Sequence, residues 1–452
     1  MERDALDFGQ MQVSRLFLKL FVPTLFGLLF VSLLNLADGI FVGHGVGSDA
    51  LAAINIGAPV FLLSAGVALM FGTGVSVVAA VHLSRGNVKA ARICVTQAFS
   101  VSCLLMTLLA AVIMLFPRHV ATLFGGTERL MPLVLDYMLW VTPGLIATTV
   151  AMVGLFVLRL DGAPRFAMMV QVGFSLLNIV LDWWMVFPLQ MGLKGAAIAT
   201  TLSSAVGGVL ILYYMCFRSR QLHFYRPKFT RKALRLTLRN VGYMSQMGLS
   251  SMIGELAISG MMIVGNYMFV RYLGEDGVAA YSVACYLFPF IFMMGNAIAQ
   301  SLLPIVSYNY GVRQWARIRL TRRLSLRVAV VSGVLLSLAG MCGSSVIAHI
   351  FLPDGQRAWQ IAADGLPYFS AGFMLCTLNI VFIGYYQSVE RARPATLFML
   401  LRGFIVVVPV FVLLPSVLGD AGLWLALPVS ELLTLAVIFV YDRMLMNKRK
   451  DR

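Results

Sequence analysis

The sequence predicts an all-α polytopic membrane protein. Twelve transmembrane helices are expected, as two six-helix bundles related by a pseudo-two-fold axis along the membrane normal. Three observations predict it: composition, the placement of charge, and an internal repeat. The 452 residues are 60% hydrophobic and only 12% charged, with a mean hydropathy of +0.87. Soluble domains carry about 25% charged residues. That excludes a water-soluble enzyme, and the high hydrophobicity excludes a disordered chain. A helical span needs about 20 apolar residues. The apolar runs here are long, as in 16–42 and 328–351, unlike the short alternating runs of an outer-membrane barrel.

Charge gives the topology. The net charge is +16, from 35 Lys+Arg against 19 Asp+Glu. The basic residues fall in alternate connections. Arg3, Arg15 and Lys19 open the series, followed by Arg85, Lys89 and Arg92, then Arg159 and Arg165. Eight lie in 218–239 and six in 313–327; Arg391, Arg393, Arg402 and five tail residues from Arg443 to Arg452 complete it. The other connections hold only Arg118, Arg129, Lys194, Arg271 and Arg357. Thirty against five is a positive-inside pattern with both termini cytoplasmic, and it implies an even number of spans. A nucleic-acid surface needs one contiguous basic face instead.

The helices are expected at 16–42, 50–84, 88–116, 131–158, 165–188 and 194–217, then 241–271, 277–309, 325–351, 360–388, 395–415 and 420–444. The first run is too long for a signal-peptide core, so it is read as a retained helix. The most polar stretch, 218–240, reads as a cytoplasmic basic linker. It divides an N-terminal lobe, 1–217, from a C-terminal lobe, 241–452. A repeat supports the cut. Segment 47–53 (GSDALAA) resembles 274–280 (GEDGVAA). Gly86 precedes Ala91, Arg92 and Ile93 as Gly311 precedes Ala316, Arg317 and Ile318. Pro188, Gly192, Gly195 and Ala199 match Pro415, Gly419, Gly422 and Ala426 without a gap. Each half has an even helix count, so the repeat is parallel, an arrangement known in transporters.

Acidic residues inside spans cost about 2.5–3.5 kcal/mol on insertion scales and mark function by default. Four stand out: Asp38, Asp182, Glu255 and Glu431. At 1.5 Å per residue, Asp38 lies about 29 Å beyond Lys19 and Asp182 about 26 Å beyond Arg165. Thr200 lies about 9 Å below the outer Lys194. All three fall in the outer part of the first half. Asn178 is four residues before Asp182, on the same helix face. Two carboxylates, an amide and a hydroxyl form an all-oxygen set suited to a proton or to Na⁺. The alternatives are an interfacial Asp182 beside Trp183 and Trp184, and for Asp38 an exposed helix end at Gly39. Glu255 stands midway between Arg239 and Arg271, and Glu431 is 12 residues before Arg443, so both sit near mid-depth. In the repeat Glu431 aligns with Ser204, and Asp182 with Pro409. Either glutamate has a structural alternative, pairing with a polar neighbour. Pro23, fifteen residues before Asp38, removes one backbone bond and allows a hinge.

Enzyme signatures are missing. There is no P-loop, no H-E-x-x-H and no G-x-S-x-G, so no enzyme activity is expected. The six cysteines show no paired spacing and read as small buried hydrophobes. The five histidines are scattered.

Taken together, three stretches resemble the multidrug and toxic compound extrusion (MATE) transporters. They are 38–43 (DGIFVG) leading to 50–53 (ALAA), 160–165 (LDGAPR) and 300–311 (QSLLPIVSYNYG). The resemblance covers nearly the whole chain. It implies two bundles that exchange Na⁺ or H⁺ for organic cations. The DinF-like and archaeal branch holds a cation in its N-terminal lobe, and its residues look matched by Asp38, Asn178, Asp182 and Thr200, with Pro23 as its helix 1 proline. The tyrosine which that branch carries one turn before the aspartate is Leu34 here. The NorM-like branch uses a helix 7 glutamate, which Glu255 resembles loosely, and a helix 10 aspartate, where the nearest polar residue is Asn379. The expectation is thus a cation-coupled antiporter of the cytoplasmic membrane that exports amphipathic cations. Glu255, Glu431, Asn379 and Gln300 are its candidate substrate residues. It is expected to be a lipid-embedded monomer with no cofactor beyond the coupling ion and no nucleic-acid partner. The rival is a lipid-linked oligosaccharide flippase of the same superfamily. That activity needs a cationic cleft for pyrophosphate, and no Arg or Lys lies mid-span in the first half.

Overall fold

The computed structural model describes residues 6–46, 48–124, 128–226, 230–352 and 357–450. Arg3, Gly47, Lys228 and Arg452 lie outside them. The described residues form helices and no strand. In chain order these are α1 (Val13–Gly45), α2 (Ser48–Ser84), α3 (Val88–Leu115), the short α4 (Pro117–Leu123), α5 (Met131–Leu160), α6 (Pro164–Val186) and α7 (Gly192–Tyr213). There follow α8 (Arg231–Gly311), α9 (Trp315–Cys342), α10 (Ser344–Phe351), α11 (Arg357–Ser370), α12 (Phe373–Ser388), α13 (Ala392–Leu400), α14 (Val407–Leu418) and α15 (Asp420–Lys450). Ten helices are long and apolar enough to cross a membrane, or eleven if α11 and α12, which meet at 44°, form one span. Helix α8 is interrupted at Gly274, whose φ is 69°, and counting its two arms separately gives the twelve. Two expected spans are broken: 325–351 at Gly343, between α9 and α10, and 360–388 at 371–372.

Local chemistry sets the ends. Asn87 caps α3 by accepting from the Ala90 N–H at 3.2 Å, and Thr230 caps α8 the same way through Ala233. Pro117 and Pro164 open α4 and α6, where the missing N–H costs no helix bond. The repeat is visible in the backbone. Left-handed residues pair between the halves as Gly86 with Arg313, Gly162 with Glu390, and Gly192 with Gly419. The turn bonds agree, with Asn87 N–H on His82 O and Gln314 N–H on Asn309 O. This shifts one expected match by two residues: Gly86 corresponds to Arg313, not Gly311.

The chain forms two compact units. Unit 1 comprises Met1–Met252 and Leu303–Trp315; unit 2 comprises Ile253–Leu302 and Ala316–Arg452. In unit 1 the first arm of α8 lies along α2. A Cβ at Gly74 or Gly248 would strike the Met244 or Met70 carbonyl of the facing helix, so glycine permits backbone contact there. The polar stretch 218–240 is helical from Arg231 onward. Its extended part is bound to Asp161, whose carboxylate accepts from Tyr214 OH, Ser219 Oγ and the N–H groups of Arg220, Gln221 and Leu222 at 2.8–3.1 Å. Arg92 Nε donates to Gln221 O at 2.7 Å, and the Tyr225 N–H donates to Thr96 Oγ1 at 2.8 Å. Near the N-terminus, buried Phe8 accepts from Asn309 Nδ2 through its carbonyl at 3.0 Å.

Unit 2 is centred on aromatic packing. Phe269 stacks on Tyr281 at 4.5 Å and meets Trp424 edge-on at 4.9 Å. Large apolar residues such as Leu115, Ile350 and Val417 stay exposed on the helices, as lipid contact requires. All six cysteines carry free thiols.

Candidate functional site

Four of the predicted residues meet in unit 1. Asp38 extends from α1, Asn178 and Asp182 from α6, and Thr200 from α7. The spacing of four between Asn178 and Asp182 puts both on the face of α6 that packs on α1. The Asp38 and Asp182 carboxyls lie within hydrogen-bond reach of each other. The Asn178 amide, oriented by its neighbours, donates to Asp182 Oδ2 and to Asp38 Oδ1, each at 3.0 Å, and its oxygen accepts from the Thr200 N–H at 3.2 Å. Thr200 Oγ1 donates to Ala196 O at 3.1 Å. Asn178 and Asp182 are each only 1% exposed, and Asp38 is half-buried. No basic side chain pairs with either acid among the described residues. The interfacial alternative for Asp182 is set aside by its neighbours: Trp183 and Trp184 point outward, 52% and 49% exposed, while Asp182 points in. Nor does α1 end at Asp38, since it runs on to Gly45.

One participant escaped the sequence. Tyr137 of α5 lies within electrostatic range of both acids, and its ring fills the space beside Gly57 of α2. A phenol therefore approaches the pair from a different helix than Leu34. Nothing in the pattern of the fourth span distinguishes this tyrosine from the other fourteen in the chain.

Pro23 is buried within α1, which remains helical through it. A carboxyl separation short enough for a hydrogen bond leaves room for a proton.

The second-half candidates, all in unit 2, do not come together; only Glu431 and Asn379 meet. Glu431 of α15 is buried and accepts from Arg402 Nε at 2.7 Å (Oε1) and 3.0 Å (Oε2). Asn379 of α12 donates to Glu431 Oε2 at 2.6 Å and to its main-chain oxygen at 2.8 Å. Arg402 Nη2 reaches Cys376 Sγ at 2.9 Å, and its guanidinium stands 4.7 Å from the Phe292 ring centre. The sequence placed Arg402 among the loop charges, and the structure corrects this. It lies buried in a π-helical turn, Leu401–Ile405, between α13 and α14. The charge asymmetry survives its removal. The pair lines a small cavity with Gly254, Met261, Phe292 and Met399. Glu255 stands apart, half-buried, with no hydrogen bond or ion pair among the described residues. Gln300 is half-buried and is not among the residues that line this cavity.

A duplicated bundle of apolar helices that encloses a pair of acids is the architecture of a multi-pass membrane transporter. The comparisons with known proteins fix the family. The sequence pattern of MatE matches residues 23–184 and 250–413, and the chain belongs to that family of multi-pass membrane transporters. It is 26% identical to the FAD transporter of Shewanella oneidensis, over 93% of this chain and 92% of that protein. It is 24% identical to the multidrug export protein MepA of Staphylococcus haemolyticus, over 96% and 95%. Among solved structures, that of a MATE transporter in the bent conformation superposes with a TM-score of 0.86 at 22% identity, over 97% of this chain and 96% of that one. A MOP superfamily transporter from Pyrococcus furiosus gives 0.88 at 22%, over 97% of both.

Proposed function

We propose that the chain is a cation-coupled antiporter that exports amphipathic organic compounds across the cytoplasmic membrane by alternating access, both termini being cytoplasmic. Asp38, Asn178, Asp182 and Thr200 form the coupling site, in the pattern of the DinF-like and archaeal branch. The observation that carries this reading is the buried Asp182 carboxyl beside the half-buried Asp38, with no base paired to either among the described residues. Two such groups in an apolar surround cannot both stay ionised, so the pair holds one proton or one monovalent cation. The Asn178 amide suits either ion: its nitrogen donates to an acid pair that holds a proton, and its oxygen can turn to a bound Na⁺. Each charge that enters is worth about 2.3 kcal/mol per 100 mV, enough to sustain about a fifty-fold substrate gradient.

Export of organic compounds is supported by the multidrug and FAD relatives. Glu255, unpaired and partly accessible, is the group placed to receive a positive charge on the substrate. Pro23 acts as the hinge through which occupancy at Asp38 changes the shape of α1. The test is transport of a cationic dye by purified protein in proteoliposomes, with pH and Na⁺ gradients imposed separately. Efflux should follow one of the two gradients and vanish in Asp38→Asn. Full gradient-driven transport by Asp38→Asn overturns the reading. For the hinge, spin labels on α1 should report a pH-dependent distance that is lost in Pro23→Ala.

A further inference from the structure

Eleven buried side-chain polar atoms have no hydrogen-bond partner among the described residues, and four of them fall on one strip of unit 1. They are Thr24 Oγ1 on α1, and Gln171 Oε1, Ser175 Oγ and Asp182 Oδ1 on α6. All four residues are at least nine-tenths buried. Buried polar groups are nearly always satisfied, and each exception calls for a water or an ion.

The strip has a direction. Gln171, Ser175, Asn178 and Asp182 follow the i, i+4, i+7, i+11 pattern of a single helix face. That face spans about 16 Å from the acid pair toward the Arg165 end of α6. It faces α1 in a fixed register. Asp38 meets Asp182, and Gly27 meets Gln171, each pair 144 residues apart. A Cβ at Gly27 would come within 2.5 Å of Gln171 Oε1, so the amide oxygen lies against bare backbone. Thr24 is one turn farther along the same face of α1. The facing strips of α1 and α6 therefore carry a polar seam, supplied mainly by α6, that ends at the Asp38–Asp182 pair.

We infer that Thr24, Gln171 and Ser175 hold a file of water that connects the acid pair with the side of the membrane where α1 and α6 begin. The file gives the coupling ion a route to or from that side within unit 1, apart from the route taken by the organic substrate. The inference rests on the reading of the pair as the coupling site. Hydroxyls and an amide suit the task because each both orients water and exchanges partners, and water bridges satisfy buried groups nearly as well as direct bonds. The titratable groups at the upper end are Asp38, Asp182 and Tyr137.

The test uses the triple variant Thr24→Val, Gln171→Leu, Ser175→Ala, which keeps shape and removes polarity. Wild type, the triple variant and Asp38→Asn are reconstituted, and dye transport is timed under ΔpH alone and under a Na⁺ gradient alone. Thermal melting and equilibrium dye binding are measured on the same preparations. The triple variant should bind dye within about twofold of wild type but transport about tenfold more slowly. Slowing under ΔpH identifies a proton file, and slowing under the Na⁺ gradient a sodium path; both support the inference. If the seam is dry and its atoms unpaired, the apolar variant melts higher and transports as wild type under both gradients. That result overturns the file while leaving the coupling reading intact, provided Asp38→Asn is dead. Coupled transport by Asp38→Asn removes the coupling site, and the file with it. Should the triple variant fail to fold, Gln171→Leu alone is read against the same two outcomes.

Discussion

Each unit buries an acid beside an asparagine, and the two handle the charge in opposite ways. In unit 1, Asp182 and Asp38 share Asn178 and face each other. In unit 2, Glu431 accepts from Asn379 and from an arginine, Arg402. A carboxylate held by its own guanidinium is neutralised permanently. An acid pair with no base has to take its neutralising charge from outside the protein. The repeat shows how the difference arose on one scaffold. The position of Glu431 is Ser204 in the first half, which accepts from Thr148 Oγ1 at 2.9 Å. On the proposed reading, burial alone does not mark a coupling acid; a second carboxyl beside it, with no base, does.

The largest expected effects break that contrast directly. Asp38→Asn and Asp182→Asn should each reduce gradient-driven efflux to background in proteoliposomes, whereas Glu431→Gln should leave a gradient response. A dead Glu431→Gln that is fully folded would place coupling in unit 2 instead. Next in size is stability. Arg402→Gln strands a buried carboxylate and should cost about 3–5 kcal/mol, seen as a lower melting temperature. Replacing both partners, Arg402→Met with Glu431→Leu, removes the charge and should restore most of that loss. A double variant as unstable as the single would mean that the pair is needed for more than neutrality.

The unit 1 site was legible because intramembrane acids are rare and the Asn178–Asp182 spacing is helical. Depth, counted from flanking charges, then brought Asp38, Asp182 and Thr200 to one level. Arg402 was misread for an equally physical reason. It follows Arg391 and Arg393 closely, and only the π-helical turn at Leu401–Ile405 turns it inward against a glutamate 29 residues away. Tyr137 and Asp161 were illegible because their partners are remote in sequence. The LDGAPR stretch was recognised, but its work on residues 219–222 exists only once some 60 residues fold back. The breaks at Gly343 and 371–372 lie within hydrophobic runs, where composition carries no signal for a bend. The break at Gly274 fell in an expected loop, and there the chain keeps helix on both sides of one glycine.

A smaller effect sharpens the contrast inside unit 2. Glu255 and Glu431 differ in having no base and having one. Glu255→Gln should weaken a cationic dye by about tenfold, roughly 1.4 kcal/mol, and a neutral analogue of the same shape hardly at all. Glu431→Gln should not discriminate between the two. Titration of the purified variants by dye fluorescence measures both. Equal losses for the two dyes in Glu255→Gln would assign Glu255 to packing.

A last comparison, ending on the smallest expected effect, sets Asp161, which follows α5 in unit 1, against Asp442 of α15 in unit 2. Asp161 is buried and is held entirely by neutral donors, two hydroxyls and three backbone N–H groups. Asp442 takes Arg322 on one oxygen and Tyr386 OH, at 2.9 Å, on the other. An asparagine at 161 offers one acceptor oxygen and turns an NH₂ toward groups that are themselves donors. Asp161→Asn should therefore cost about 1–3 kcal/mol and speed amide exchange at 220–222 selectively. At 442 the guanidinium keeps other company: it stands 4.8 Å from the Tyr385 ring centre and 5.5 Å from that of Phe382. The Arg322 side chain is also 23% exposed, so water replaces the lost carboxylate. Asp442→Asn should cost no more than about 1 kcal/mol, a shift of a few degrees in the melting temperature. The order of the two is the informative part. If Asp442→Asn proves the more damaging, formal charge decides; if Asp161→Asn does, the number of donors gathered on one buried carboxylate outweighs the charge of its partner.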